Sequence, residues 1–367
     1  MTARDRIADN PREETPLLIT TAPAALYRDP AVFDAERSAV FARAWMFMGL
    51  EADLAQAGDF IAETLAGYPL VVVRDASGGL RGFHNVCRHR AGPLVGEARG
   101  RCAGEFVCRY HGWRYALDGR LRAATDFGPA DGFDPREYGL FGVAVQAWRG
   151  LVFVNLDTAA APLAETLAPV DRLLGERSFP AHVALRRSHP IDCNWKVYVE
   201  NYLEGYHIDM IHPALATEVE TGRYAVRMEG QVAIHEVPAT AGAAEGLWAW
   251  IWPNLALNLY RNVLIIEPMR PEGPGRTRLD YIYLHDPETD GLDAAIATSE
   301  RLTDEDRWIC QRVQENLNSG VYDRGALSAR HENGVRWFQA RVMAALQGGQ
   351  GAKIPSPLVG EGGARAV

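Results

Sequence analysis

Between about residues 43 and 160, apolar and polar positions alternate in short runs separated by glycine and aspartate. The clearest runs are Phe60 to Leu65, Leu70 to Arg74, Gly82 to Val86, Phe106 to Cys108 and Leu151 to Leu156. Period-two runs of this length read as strands of a small all-β unit. Upstream, residues 1–42 hold polar and helical pieces, with helix-like apolar spacing from Asp34 to Trp45. Leu163 to Leu174 is helical in pattern and forms a crossover, with a break expected at Pro169, which lacks an N–H.

Beyond the crossover the period changes repeatedly. A strand near 183–192 precedes a long amphipathic helix from Trp195 to Ile211. Strands follow at 223–237, 246–260, 262–270 and 277–285, then a helix from about Thr303 to Leu317. This is an antiparallel sheet with helices, an α+β plan. The tail from Gln347 is glycine-rich without periodicity and is expected to be disordered. No internal repeat or phosphate-cradling glycine loop occurs.

With 367 residues the chain exceeds one ordinary domain, and two are expected. A hydrophobic content of 47% supplies substantial cores. The net charge of −9 argues against nucleic acid or an anionic membrane as a partner, because both select a basic face. The first residues carry charge but no apolar signal core, and no run reaches the length of a membrane span. Five cysteines without disulfide-like spacing complete the expectation of a soluble, cytoplasmic protein with reduced thiols.

Chemistry concentrates first in Cys87-Arg88-His89 and, twenty-one residues on, Cys108-Arg109-Tyr110-His111. Each segment offers one thiolate and one imidazole. A structural zinc site usually draws two cysteines from one knuckle and its histidines from another. Two facing loops of mixed type instead give Cys87 and Cys108 to one iron and His89 and His111 to its neighbour, the ligation of a Rieske [2Fe–2S] centre. Neutral imidazoles lessen the negative charge and raise the potential to roughly −150 to +300 mV. Gly92-Pro93 and His111-Gly112 allow tight turns whose amides point at sulfur. Trp113 and Tyr115 are candidates to shield the cluster, Tyr115 also as a hydrogen-bond donor to sulfur. The competing reading is a Cys₂His₂ zinc site. Cys102, Cys193 and Cys310 are read as buried small hydrophobes.

An electron carrier needs an acceptor. Glu200, Glu204 and His207 recur at helical spacing on one face of the expected helix. His212 lies five residues beyond His207, about 140° around an ideal helix. Pro213 disfavours helical geometry at His212, so a break there can bring both imidazoles onto one metal. Two imidazoles and one carboxylate form the facial triad of non-haem Fe(II) oxygenases. Glu204 is better suited to accept a hydrogen bond from a ligand histidine than to be the third ligand. That carboxylate is sought in Thr303-Asp304-Glu305-Asp306, where Asp306 leads Asp304 and Glu305. Here the competing reading is a capping box, with Thr303 as N-cap and Asp306 three residues into the helix.

Together, Cys-x-His…Cys-x₂-His, Glu-x₂-His-x₄-His and Asp306 resemble the α subunit of Rieske non-haem iron ring-hydroxylating oxygenases over about residues 20–345. The stretches from Asp192 to His207, Glu305 to Gln314 and Tyr322 to Ser328 are most similar to choline monooxygenase-like members. The resemblance implies an all-β Rieske domain at 43–160 and a helix-grip (START-like) catalytic domain at 161–346. Residues 1–42 would pack on the catalytic domain, and 347–367 would form the tail. It implies a head-to-tail homotrimer, O₂ as co-substrate, and a separate flavin or ferredoxin-type reductase passing electrons from NAD(P)H. It also implies Asp306 as the third ligand to a mononuclear Fe(II). Glu204 would be the acidic residue joining a cluster histidine of one subunit to an iron-ligand histidine of the next.

The expected activity is hydroxylation or N-demethylation of a small substrate such as a quaternary amine. The alternatives are an aromatic-ring hydroxylating dioxygenase, a Rieske electron carrier without an oxygenase site, and a zinc-stabilised binding module. Trp248, Trp250 and Trp252, followed by Tyr260, alternate on one strand face. They form either a cation–π cage for a trimethylammonium group or, the favoured reading, packing for the sheet core.

Overall fold

Alternating apolar positions pair the strands of the first half into a seven-stranded antiparallel sheet in this computed structural model. The described residues are 18–238, 240, 246–260 and 262–348. The sheet runs Met46–Leu50, Leu151–Asn155, Gly142–Trp148, Leu80–His84, Tyr68–Arg74, Asp59–Leu65 and Arg99–Arg101. A smaller sheet of Glu105–Val107, Arg114–Ala116 and Leu121–Ala123 sits beside it. Phe60, Val71, Phe83, Phe106, Trp113 and Tyr115 form the core between them and enclose Cys87 and Cys108.

Among the described residues two α-helices precede these sheets, α1 (Ala25–Arg28) and α2 (Pro30–Ala39), with the Asp29 side chain capping Ala31 N–H. The expected helix from Asp34 to Trp45 therefore starts earlier and ends earlier. Both helices lean on the second half of the chain. Glu36 of α2 is fully buried, 2.6 Å from Lys196 Nζ, and accepts from the Trp195 indole N–H. After the sheets comes α3 (Leu163–Leu174), which runs through Pro169 without ending. The break expected there does not occur. Pro169 turns its ring into the core, and Glu165, whose carbonyl loses its helical donor, is exposed.

The second half is built on a seven-stranded antiparallel sheet ordered Val183–Ile191, Arg276–His285, Val263–Gly273, Leu255–Tyr260, Gly246–Ile251, Val232–Glu236 and Ala225–Glu229. The expected strand at 223–237 is a hairpin that turns at Gly230, in the left-handed region at φ 59°. That at 246–260 is likewise two paired strands. The all-β unit followed by an antiparallel sheet gripping helices is the α+β architecture expected of the sequence.

The long helix expected from Trp195 to Ile211 is two pieces, α4 (Trp195–Tyr202) and α5 (Ile208–Ile211). Residues 203–207 leave the helix because Gly205 packs against the Tyr224 ring, which a Cβ would meet at 2.5 Å. The final helices are α6 (Leu292–Asn318) and α7 (Asn333–Gly348). α6 begins after Gly291, eleven residues before Thr303, so Asp306 lies mid-helix and the capping box is ruled out. The Thr303 hydroxyl instead donates to the Ser299 carbonyl and contacts the Tyr281 hydroxyl. The tail expected from residue 347 begins inside α7, and its remainder, 349–367, lies outside the described residues. Among the described residues no helix is long and apolar enough to cross a membrane.

Candidate metal centres and substrate cavity

Two loops of matched construction carry the cysteine and histidine segments. In the first, Cys87 N–H donates to the Gly92 carbonyl and Ala91 N–H to the Cys87 carbonyl. In the second, Cys108 N–H donates to the Trp113 carbonyl and Gly112 N–H to the Cys108 carbonyl. Both turns need left-handed backbone, at Ala91 (φ 54°) and Gly112 (φ 69°). The loops face one another. His89 Nδ1 lies 3.1 Å from His111 Nδ1, while the two sulfurs point into the buried core. Tyr115 OH accepts Arg88 N–H at 3.0 Å, which leaves its proton for Cys87 Sγ at 3.2 Å. Trp113, 2% exposed, stacks on the His89 ring. His111 is exposed, so the imidazole edge of this centre reaches the surface.

The break between α4 and α5 builds the second centre. His207 and His212 turn their Nε2 atoms toward each other at 3.1 Å. Asp306 Oδ1 of α6 lies 3.0 Å from His212 Nε2 and 3.7 Å from His207 Nε2. The ligand atoms of these three residues all fall within 4.8 Å of one another. Each imidazole has its other nitrogen on a carboxylate, His207 Nδ1 at 2.5 Å from Glu204 Oε1 and His212 Nδ1 at 2.7 Å from Glu305 Oε2. Donating from Nδ1 fixes the tautomer and presents an Nε2 lone pair to the centre. Burial disfavours charge on His212, yet Asp306 and Glu305 together hold its ring above the ordinary imidazole range. Two lone pairs and a carboxylate facing one point without a donor between them make a cation site.

Above these three residues opens a cavity of about 190 Å³. Trp248, Tyr260, Tyr202 and Tyr224 wall it, and Glu218 and Glu267 also face it. The aromatic row is thereby divided. Trp248 lines the cavity, whereas Trp250 is fully buried against Trp337 and Phe338, and Trp252 packs on Phe338. Core packing holds for Trp250 and Trp252, and a cage is open only to Trp248 with Tyr260. Tyr260 OH donates to Glu218 Oε2 at 2.8 Å. Tyr202 OH donates to Asn258, whose amide donates to Glu267. Burial and the nearby Asp306 push the Glu267 carboxyl up to about 8.

Residues 44–134 match the Rieske [2Fe-2S] domain model, and 178–243 with 220–348 match the ring-hydroxylating α-subunit catalytic domain. The chloroplastic choline monooxygenase of Arabidopsis thaliana is 31% identical over 83% of this chain and 78% of its own length. This chain belongs to the Rieske non-haem iron oxygenases. The carnitine monooxygenase oxygenase subunit of Escherichia coli K12 is 29% identical over 83% of this chain and 85% of its own. The quaternary ammonium Rieske monooxygenase CntA, solved with L-carnitine, superposes at TM-score 0.78 with 26% identity, covering 90% of this chain and 96% of that one. A Rhodococcus naphthalene 1,2-dioxygenase shares the fold at TM-score 0.70 and 18% identity, covering 89% and 94%.

As a Rieske oxygenase the chain uses a [2Fe–2S] cluster, a mononuclear iron, O₂ and a separate reductase. The structure brings Cys87, His89, Cys108 and His111 to facing loops, and His207, His212 and Asp306 to one point. It does not keep Glu200 with Glu204 and His207. Glu200 accepts from the Tyr27 hydroxyl at 2.6 Å, while Glu204 folds onto His207 from the loop. Asp304 pairs with Arg307 on the surface, and Glu305 reaches His212 from the side away from the centre. Asn201 went unnoticed in the sequence: its amide donates to Asp306 Oδ1 at 2.8 Å. Its place one turn from Glu204 on the approach to the histidines was the available signal.

Proposed function

We propose that this oxygenase oxidises a small quaternary ammonium compound, with Cys87 and Cys108 on one cluster iron and His89 and His111 on the other. His207, His212 and Asp306 hold the mononuclear iron. The carrying observation is the aromatic cavity that the triad opens into, with Trp248 and carboxyl groups in its lining. A trimethylammonium group is attracted to the face of an indole, by about 2 kcal/mol when desolvated. The named relatives act on choline and carnitine, which supports the same class here.

When bound, the mononuclear iron supplies O₂ activation and the cluster supplies single electrons. The chain does the rest. Glu204 keeps His207 in the tautomer that ligates through Nε2, and Glu305 does the same for His212. Asn201 orients Asp306. Tyr198, Ile208 and Leu302 supply part of the cavity lining. In a head-to-tail trimer, the exposed His111 of one copy would approach Glu204 of the next, giving a hydrogen-bonded path between the centres.

Reconstitution with a surrogate reductase and NADH tests the reading. Substrate-dependent O₂ uptake is expected with quaternary amines and not with aromatic acids; the reverse pattern would favour the ring-hydroxylating alternative. His207→Ala should abolish turnover and leave the Rieske EPR signal unchanged. Turnover that survives this substitution removes His207 from the ligand set.

A further inference from the structure

Resting on the reading of this cavity as a quaternary-ammonium site, we propose that His235 selects substrates bearing an uncharged hydroxyl close to the ammonium nitrogen. His235 stands directly opposite Trp248 in the strand register, and both line the cavity. Side chains so paired have Cβ atoms about 5 Å apart. A cation on the Trp248 face therefore places a substituent one or two carbons away against the His235 ring.

That ring is 6% exposed and has one nitrogen engaged, Nδ1 with the Tyr224 hydroxyl. Its Nε2 is buried and has no partner among the described residues. Leaving a buried polar atom unpaired costs about 1–3 kcal/mol, so native structures rarely do so without a use. On a cavity wall, the use is a ligand atom. Burial holds the imidazole neutral, pulling its pKa down to about 3, so it offers a hydrogen bond and no ion pair. If Tyr224 donates to Nδ1, Nε2 carries the proton; in the other tautomer it carries the lone pair. A hydroxyl satisfies both cases because it donates and accepts. Glu218 on the same cavity further favours a neutral oxygen over an anionic one.

Choline and ethyltrimethylammonium differ by this hydroxyl alone. The reconstituted holoenzyme should show kcat/KM for choline about 10–100-fold above that for the deoxy compound. His235→Phe should collapse the ratio by lowering the choline value more than the deoxy value. His235→Gln, which keeps a donor and an acceptor, should restore part of the ratio. Calorimetric binding to the oxidised holoenzyme should give the same ordering in Kd without turnover. Equal use of both amines by the wild type, or an undiminished ratio in His235→Phe, overturns the proposal. If His235→Phe does not fold, the wild-type pair and His235→Gln decide. If no quaternary amine supports O₂ uptake, the functional reading falls and the proposal with it.

Discussion

Asn201 donates its side-chain amide to the same Asp306 oxygen that lies 3.0 Å from His212 Nε2. That carboxylate is thereby held from behind by α4 while it faces the two imidazoles. Groups that orient a metal ligand typically account for about 10–100-fold in metal affinity. Asn201→Leu should weaken retention of the mononuclear iron by about that factor, read by metal analysis after chelator competition. The Rieske EPR signal should not change, because the cluster loops share no contact with Asn201. Iron retention equal to wild type would show that Asp306 needs no such support.

Glu204 reaches His207 with one carboxylate oxygen and the backbone N–H groups of Tyr206 and His207 with the other. The proposed connection between centres through Glu204 differs from a purely structural role in what its loss leaves intact. Glu204→Gln keeps the size and a hydrogen-bonding group. Both metals should still load and substrate should still bind. Reoxidation of the reduced cluster by substrate and O₂ should slow by about 100-fold, the scale of removing one charge-assisted hydrogen bond from the path. Stopped-flow absorbance of the cluster measures this; an unchanged rate would place the path elsewhere.

The convergence of Cys87, His89, Cys108 and His111 was legible because they lie within two short loops, so sequence spacing is nearly spatial spacing. His207 and His212 were legible for the same reason, five residues apart before a proline. What escaped was the shape between them. Apolar spacing from Trp195 to Ile211 reads as one helix, and only Gly205, seated on the Tyr224 ring, marks the break. That ring comes from a segment nineteen residues later, so nothing local announces the contact. Asp306 meets the two imidazoles, but not from a helix start as its surroundings suggest. The pattern reads α6 as starting near Thr303, where a capping box is also possible, although the helix begins at Leu292. His235 and Glu267 were invisible because their partners come from other strands and from α4.

The Tyr115 hydroxyl is committed to Cys87 Sγ because it already accepts from Arg88 N–H. A donor to a ligand sulfur stabilises the added electron on the reduced cluster, and its removal lowers the potential. A bond worth about 1 kcal/mol more in the reduced state corresponds to roughly 40 mV for one electron. Tyr115→Phe should lower the midpoint potential by about that amount in an EPR-monitored redox titration. The g-values should shift little, since all four ligands remain. A potential equal to wild type would mean the hydroxyl does not sense the cluster charge.

Glu200 sits between Tyr27 and the buried Lys196–Glu36 pair, where the N-terminal helices meet α4. Burial pushes its carboxyl up to about 7, against which the Tyr27 and Gln339 hydrogen bonds and the Lys196 charge act. A carboxyl raised in the folded state takes up protons on folding. Its favourable contribution is complete below the unfolded value near 4.5 and is lost as pH climbs toward 7. Gln in its place cannot ionise and still accepts from the Tyr27 hydroxyl. Glu200→Gln should therefore gain melting temperature over wild type as pH rises from 5 to 8, by about 2–4 °C for each kcal/mol recovered. Differential scanning calorimetry at the two pH values decides it. A gain that is the same at both would show that the Glu200 carboxyl titrates in the folded protein as it does in the unfolded chain.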